Sequence, residues 1–437
     1  MDRLIHSLFH YHQGPPKAPG SAYMQEISPS ALADDGASAA HLRPRGSNQT
    51  GMRQFNERVV LQAIRLNGSM PKADLARLTA LSTQTVSLII NRLYEDGLVI
   101  KLAPLRGKIG QPSVPIALNP DGAFSIGVKI GRRSLDVLLL DFIGTVRMRF
   151  SLSYRVPDPD EVFAAIARQV KLMQAALEPA QRGRINGIGV AAPLSLDRWQ
   201  GLMKLAPEQA ARWNRLDIAR RIEADTGLPV QFAKDTAAAC VAELVAGRGR
   251  SIKSFLYLFV DTFIGGGLVI DSTLHAGLHG NAGAIGSLPV GVAAPGGEAP
   301  AQLLSTASLL GLEQACEQAG IDPMAAYDER ATQAPWAVHS AAWTEQAGAA
   351  IAMAVTSATC LLDLEGVIID GSCTRALLEQ LMAAVARSLE HYNWEGVERP
   401  QVLAGMIGSD ARALGGALLP LYASFAPDRD VFLKLDA

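Results

Sequence analysis

"FSIGVKIGRRSLDV", Phe124 to Val137, decides the fold. Apolar residues run into Gly131, and a second apolar stretch opens at Leu135. A strand, a tight glycine turn and another strand form the usual entry to a nucleotide-binding α/β domain. A phosphate loop of this shape normally carries a carboxylate where Lys129 stands, to anchor a metal. It normally carries a glycine where Arg132 stands, so that backbone can approach the phosphate. The stretch therefore has the backbone pattern of a phosphate site with the wrong side chains. Lys129, Arg132 and Arg133 could hold a free anion, or the loop has lost its chemistry and kept its scaffold; the second reading is preferred.

Outward from this stretch, strand-like and helix-like segments alternate. Strands are predicted at 124–130, 135–141, 146–154, 185–190, 255–261, 266–271 and 366–370. Helices are predicted at 159–177, 215–226, 236–247, 307–319, 338–361, 375–391 and 410–424. This alternation is an α/β pattern. The 437 residues exceed one ordinary core, so two or three domains are expected. No run of 18 or more uncharged apolar residues appears, and the N-terminus has no signal-peptide pattern. Cys240, Cys316, Cys360 and Cys373 are scattered, which supports neither a zinc knuckle nor a disulfide framework. The expected location is the cytoplasm, with no membrane partner. Residues 1–50 read as a flexible tail, in which His6, His10 and His12 are a disordered tract rather than a metal site.

Residues 51–118 form a separate basic unit, nine Lys/Arg against four Asp/Glu, inside a chain of net charge −2. Such a local excess is the footprint of a polyanion partner. "NERVVLQAIRLNG" (56–68) places Val59, Val60, Ala63, Ile64 and Leu66 mostly on one helical face. "PKADLARLT" (71–79) enters a second helix at Pro71 and should bury Leu75, Ala76 and Leu78. "STQTVSLIINRLYEDG" (82–97) opens with Ser82 as N-cap and turns Val86, Ile89, Ile90 and Leu93 inward. Gln84, Thr85, Ser87 and Asn91 then face outward, short polar groups suited to base edges in a major groove. After Gly97, two strands flank a basic turn with Arg106 and Lys108 at its tip, a wing. Lys72, Ser82, Gln84, Thr85, Ser87, Asn91, Arg106 and Lys108 are the candidate contacts to double-stranded DNA. The alternative is a helical hairpin serving dimer contacts.

"LSTQTVSLIINRLYEDGLV" followed by "GKIGQPSVPIALNPDGAFSIGVKIG" resembles the repressors of the ROK family (repressors, open reading frames and sugar kinases). The resemblance covers about 51–437. It implies an N-terminal winged helix-turn-helix followed by a two-lobed actin-like ATPase domain of the sugar-kinase type. The implied division is a tail at 1–50, a DNA-binding domain at 51–118 and an effector domain at 119–437. The first lobe would take about 122–234 plus the C-terminal helix, the second about 235–405.

The family's chemical motifs are mostly lost here. Its first loop, D-x-G-G-T, is "KIGRRS". Its base-bearing "N-D-A-N" matches "KDTA", so Asp235 falls on the base position, between Lys234 and Thr236; the same residue would serve as a helix cap. Its T-G-I-G-G-G loop is "TFIGGG", with Phe263 for the first glycine, and a glycine triplet equally suits a tight hairpin. Its sugar motif "A-G-E-I-G-H" is "AGAIGS", with Ala284 for the acid and Ser287 for the histidine. Its zinc cysteines have no counterpart in "VAAPGGEAPAQLLSTASL".

The resemblance therefore implies a DNA-binding transcriptional regulator, a repressor, with a catalytically inactive sugar-kinase-like domain and no cofactor or metal. It would act as a homodimer or homotetramer and sense a small molecule, a carbohydrate being the family's choice. Lys129, Pro193, Lys234, Asp235, Asn281 and Ser287 are the candidate ligand contacts. The rival functions are an active sugar kinase with an accessory winged helix, and a ligand-independent DNA scaffold. Lys129 is further expected to reach Asp235 across the cleft as an internal latch.

Overall fold

The computed structural model describes residues 49–104, 113–154, 156–193, 207–293 and 295–427. The N-terminal tail and the wing tip with Arg106 and Lys108 lie outside them. The winged helix is built from α1 (Gln49–Asn67), β1 (Ser69–Pro71), α2 (Lys72–Thr79), α3 (Thr83–Glu95), β2 (Val99–Lys101) and β3 (Pro115–Leu118). Its antiparallel sheet runs β1-β3-β2. Ser82 caps α3, its hydroxyl accepting from Thr85 N–H at 3.1 Å. Val86, Ile89, Ile90 and Leu93 pack with Val60, Ile64 and Leu75 into one core. Two expected core residues are exposed, Leu66 by 44% and Leu78 by 57%. Leu66 lies two residues past buried Ile64, about 200° around the helix, so Leu61 takes the inward place.

The first lobe is a five-stranded sheet in the order β6-β5-β4-β7-β8. Its strands are β4 (Phe124–Ile130), β5 (Ser134–Asp141), β6 (Val146–Ser153), β7 (Ile185–Ala192) and β8 (Val230–Lys234). The first three form an antiparallel meander, and β7 and β8 add parallel to β4. On β4 the period-two alternation separates two jobs. Phe124, Ile126, Val128 and Ile130 face the core under α4 (Pro159–Ala176) and α5 (Ile218–Thr226). Ser125, Gly127 and Lys129 lie on the opposite face.

The second lobe repeats the same plan: β11-β10-β9-β12-β13, a meander followed by two parallel strands. Its strands are β9 (Phe255–Val260), β10 (Gly265–Ile270), β11 (Thr273–His275), β12 (Gly366–Gly371) and β13 (Gln401–Ala404). Between the sheets lie α6 (Asp235–Ala246) on the second sheet and, across it, the C-terminal helix. The outer face of the second sheet carries α7 (Leu309–Gln318), α8 (Ala337–Leu362) and α9 (Arg375–Leu389). Strand β9 is buried on both sides. Phe255, Tyr257 and Phe259 face α6, while Leu256, Leu258 and Val260 face α8. By length and composition α8 could cross a bilayer; half of its most apolar stretch is instead buried in this core.

The C-terminal helix α10 (Ala411–Phe425) lies directly on the first sheet and packs face to face with α6. Glycines make this approach possible. A Cβ on Gly189 would stand 1.9 Å from the Gly416 carbonyl oxygen, and one on Gly415 1.7 Å from that of Ala238. The Ser125 hydroxyl donates to the Ala417 carbonyl at 2.5 Å. The other end of α10 meets the winged helix. Phe425 packs edge-on to Phe142 at 4.8 Å, and the Arg65 guanidinium of α1 sits 5.1 Å from the Phe142 ring centre.

Candidate DNA-reading helix and interlobe cleft

Helix α3 presents Gln84, Leu88 and Asn91, one and two turns apart, on its exposed face. Ser82 and Thr85 are tied to each other, hydroxyl to hydroxyl at 2.8 Å, which fixes the helix start. Lys72 of α2 donates to the Asn91 side-chain amide oxygen Oδ1 at 3.4 Å, so two expected contacts are brought side by side. Ser87 is half-buried. Leu88, 64% exposed, was not among the expected contacts. Its exposure on a helix otherwise faithful to its pattern was the available signal, and an apolar group there suits a thymine methyl.

The basic excess of this unit does not all face outward. Arg92 pairs with Glu57 at 2.5 Å, and Arg53 reaches the same carboxylate at 3.7 Å. Arg58 donates to the Ala426 carbonyl and Arg65 to that of Phe142, so both hold the winged helix to the effector domain. Arg77 is paired with Asp74.

In the cleft, Lys129 does not reach for Asp235. It is 8% exposed and donates to the Ser134 hydroxyl at 2.7 Å and to Asp136 at 2.9 Å. Both partners come from the adjacent strand β5, where Asp136 is the register partner of Lys129. A carboxylate one strand away satisfies the ammonium without any lobe movement. The expected latch is therefore replaced by a local pair. Burial lowers the Lys129 pKa, with Arg412 adding to the effect against Asp136 and Asp261.

Two other ion pairs do span the lobes. Arg412, at the start of α10, meets Asp261, just past β9, at 2.5 Å and also donates to Ser372. Burial pushes the Asp261 carboxyl up, but Arg412 and Lys129 outweigh it and hold the group below the usual carboxylate range. Nearer the rim, Arg133 of the β4–β5 turn meets Glu313 of α7 at 2.7 Å. Glu313 also accepts from Tyr327 at 2.5 Å, and Tyr327 and Thr262 share a hydrogen bond of 2.7 Å. Arg132 has one buried guanidinium nitrogen, Nη1, without a hydrogen-bond partner among the described residues.

The remaining expected contacts are spread along the same cleft. Lys234, at the end of β8, donates to Asn281 of the second lobe at 3.0 Å, another bridge. Asp235 is the first residue of α6 and accepts from Thr236 N–H at 2.8 Å. Pro193 closes β7 and is half-buried, and Ser287 is exposed in a short 3₁₀ turn. The triplet Gly265–Gly267 has a packing role. A Cβ on each would stand 2.8 Å from Thr236, 2.5 Å from the Tyr257 carbonyl oxygen and 2.6 Å from Cys240, respectively. The triplet lets β10 pass under α6 rather than forming a tight turn. Glu243 is fully buried and accepts from the backbone N–H groups of Arg248, Met406 and Ile407. Among the described residues, no three His, Cys, Asp or Glu side chains gather as a metal-ligand set.

A winged helix seated on a duplicated two-lobed α/β domain, with a charged cleft between the lobes, defines the class of protein. Residues 125–422 match the model of the ROK family, and residues 56–100 match that of a winged helix-turn-helix DNA-binding domain. The chain belongs to the ROK family. It is 26% identical over 248 residues to a putative xylose repressor of Caldicellulosiruptor sp. (strain Rt8B.4), covering 56% of this chain and 60% of that one. The match thus spans about three fifths of that relative's length. Among solved structures, a ROK family transcriptional regulator, a homologue of the E. coli MLC protein, superimposes with a TM-score of 0.61 at 22% identity. That match covers 86% of this chain and 98% of the other. The ROK hexokinase from Thermus thermophilus gives a TM-score of 0.50 at 25% identity, over 68% and 97%.

Proposed function

We propose that the protein is a DNA-binding transcriptional repressor of the cytoplasm whose effector domain senses a small molecule without turning it over. The observation that carries this reading is the exposed face of α3, Gln84, Leu88 and Asn91 with Lys72 beside it, on a winged helix docked against the effector domain. Its relatives include a protein named as a putative xylose repressor and a structure described as a transcriptional regulator. Lys129, Lys234, Asp235, Asn281, Pro193 and Ser287 are assigned to effector binding in the cleft. A sugar or polyol is the effector class the family suggests.

Magnesium-ATP does not suit the residues in this cleft. Lys129 stands where an acid would hold the metal, and Asp136 and Asp261 are already neutralised by Lys129 and Arg412. The cleft is proposed to work as a hinge. The Arg133–Glu313 and Arg412–Asp261 pairs favour closure, and an effector entering between Lys234 and Asn281 would change that balance. In a homodimer or homotetramer, such a change would re-space two winged helices, and half-site spacing is a strict geometric demand.

The test is selection of bound fragments from genomic DNA, then binding titrations at several salt concentrations. The wild type should bind one sequence family with a steep salt dependence. Gln84→Ala should lose about 1–3 kcal/mol of preference at one base step. Equal affinity of Gln84→Ala and wild type for selected and random DNA would overturn the placement of the reading helix. Sugar phosphorylation by the purified protein would overturn the non-catalytic reading.

A further inference from the structure

A cavity of about 230 Å³ lies where the winged helix meets the effector domain, far from the cleft chemistry just described. Its walls come from α1, from α6 and the turn after it, and from the C-terminal half of α10. They are largely apolar: Leu66, Leu244, Val245, Leu418, Leu421 and Phe425. Two guanidiniums, Arg65 and Arg250, line the same space, and no acidic residue among those described does.

Among the described residues, the side-chain hydrogen bonds of both arginines go to carbonyls, and Arg65 also lies over the Phe142 ring. Arg65 donates to Phe142 O at 2.9 Å and Arg250 to Leu66 O at 2.9 Å. The carboxylate that acts on Arg65, Asp141, is already paired with Arg147 at 2.7 Å. Burial and the neighbouring Arg250 lower the Arg65 pKa to about 10. Two guanidiniums lining one cavity with no acidic residue in its described walls are complementary to an anion, and a planar guanidinium suits a carboxylate in particular. The apolar walls then select what the carboxylate is attached to. A free sugar has no charge for the arginines. A bare phosphate has nothing for the leucines.

We infer that this joint is a second ligand site, separate from the cleft, for a small monocarboxylate with an apolar aromatic or branched body. The volume lies below the ~300 Å³ of a drug-sized pocket, which limits the ligand to one ring or one branched chain. Because α1, α6 and α10 all contribute walls, an occupant would bridge the DNA-binding and effector domains directly.

The experiment is calorimetric and saturation-transfer titration of the full-length protein with benzoate, with neutral benzamide as control. Benzoate should bind saturably in the millimolar range or tighter, with benzamide at least about tenfold weaker, because only the anion gains charge-assisted hydrogen bonds. Arg250→Gln, at an exposed position, should weaken benzoate about tenfold and leave benzamide unchanged. Val245→Phe fills the cavity without touching either arginine and should abolish benzoate binding. No saturable binding by the wild type would overturn the assignment. So would benzamide binding as well as benzoate, or both variants binding benzoate like the wild type. None of these readouts involves DNA, so failure here is distinct from failure of the repressor reading.

Discussion

Asp261→Asn tests the charge cluster that joins the lobes. The change is nearly isosteric and removes the one anion shared by Arg412 and Lys129. Arg412 is 9% exposed and the Asp261 side chain 15%, so water has little access to replace the lost charge. Removing one partner of a buried pair costs about 3–5 kcal/mol. The amide oxygen of the substituted side chain can still accept from Arg412, so the expected loss is at the lower end, about 3 kcal/mol. The second step is compensation. Lys129→Gln in the same chain removes one of the two cations left facing each other. The double variant should then lose less than the two singles added, by about 1 kcal/mol or more. Urea unfolding followed by circular dichroism measures all four corners of the cycle. A single-variant loss under about 1 kcal/mol, or additivity within ~0.5 kcal/mol, would refute the cluster as a stabilising element.

Acid should weaken the same region. Asp136 and Asp261 have folded-state pKa values below the ordinary one, so their contribution is complete above about pH 4 and is lost as pH falls through the folded values. Asp261→Asn should flatten that slope in a pH series of thermal melts. Arg133→Ala should loosen the rim without unfolding it: hydrogen exchange should quicken in the 131–134 turn and around Tyr327, with the winged helix unchanged. Gly189→Ala should cost at least ~3 kcal/mol or prevent folding, because its Cβ would meet the Gly416 carbonyl oxygen and neither backbone can retreat. A melt within a degree or two of wild type would disprove the close approach of α10 to the sheet.

Much of the architecture could be read from residues whose pattern is local. The strand at Phe124–Ile130 and the helix at Ala337–Leu362 follow from periodicity and came within a residue of expectation. Periodicity does not find strands Val230–Lys234 and Gln401–Ala404. Each is short and lies at a sheet edge, where one or two apolar residues leave no clear period. The ion pairs were out of reach for another reason. Arg133 and Glu313 are 180 residues apart in sequence, and no spacing rule links them. Lys129 stands out in the sequence, but its partner does not: it pairs with Asp136, not Asp235. Its carboxylate was expected across the cleft, when the strand register supplies Asp136 next door. The basic excess was likewise legible as charge but not as placement, since Arg58 and Arg65 serve the domain joint.

These placements make α10 the element through which the molecule's parts are related. From Arg412 to Phe425 it spans about 20 Å at 1.5 Å per residue. Its first residues hold Asp261 and Ser372 of the second lobe. Its middle lies on the first sheet through Gly416 and Ala417 and on α6 through Gly415, with no side chain long enough to give slack. Its end carries Phe425 against Phe142, and the Ala426 carbonyl just beyond accepts from Arg58 of α1. A packed interface of this kind moves as a unit or not at all, because close-packed atoms transmit displacement rather than absorb it. A change in lobe spacing at Arg412 therefore has a direct mechanical route to α1, and from α1 to α3 through their shared core of Val60, Ile64, Val86 and Ile90. The joint cavity sits at the far end of that route, where an occupant would act on α1 and α10 together.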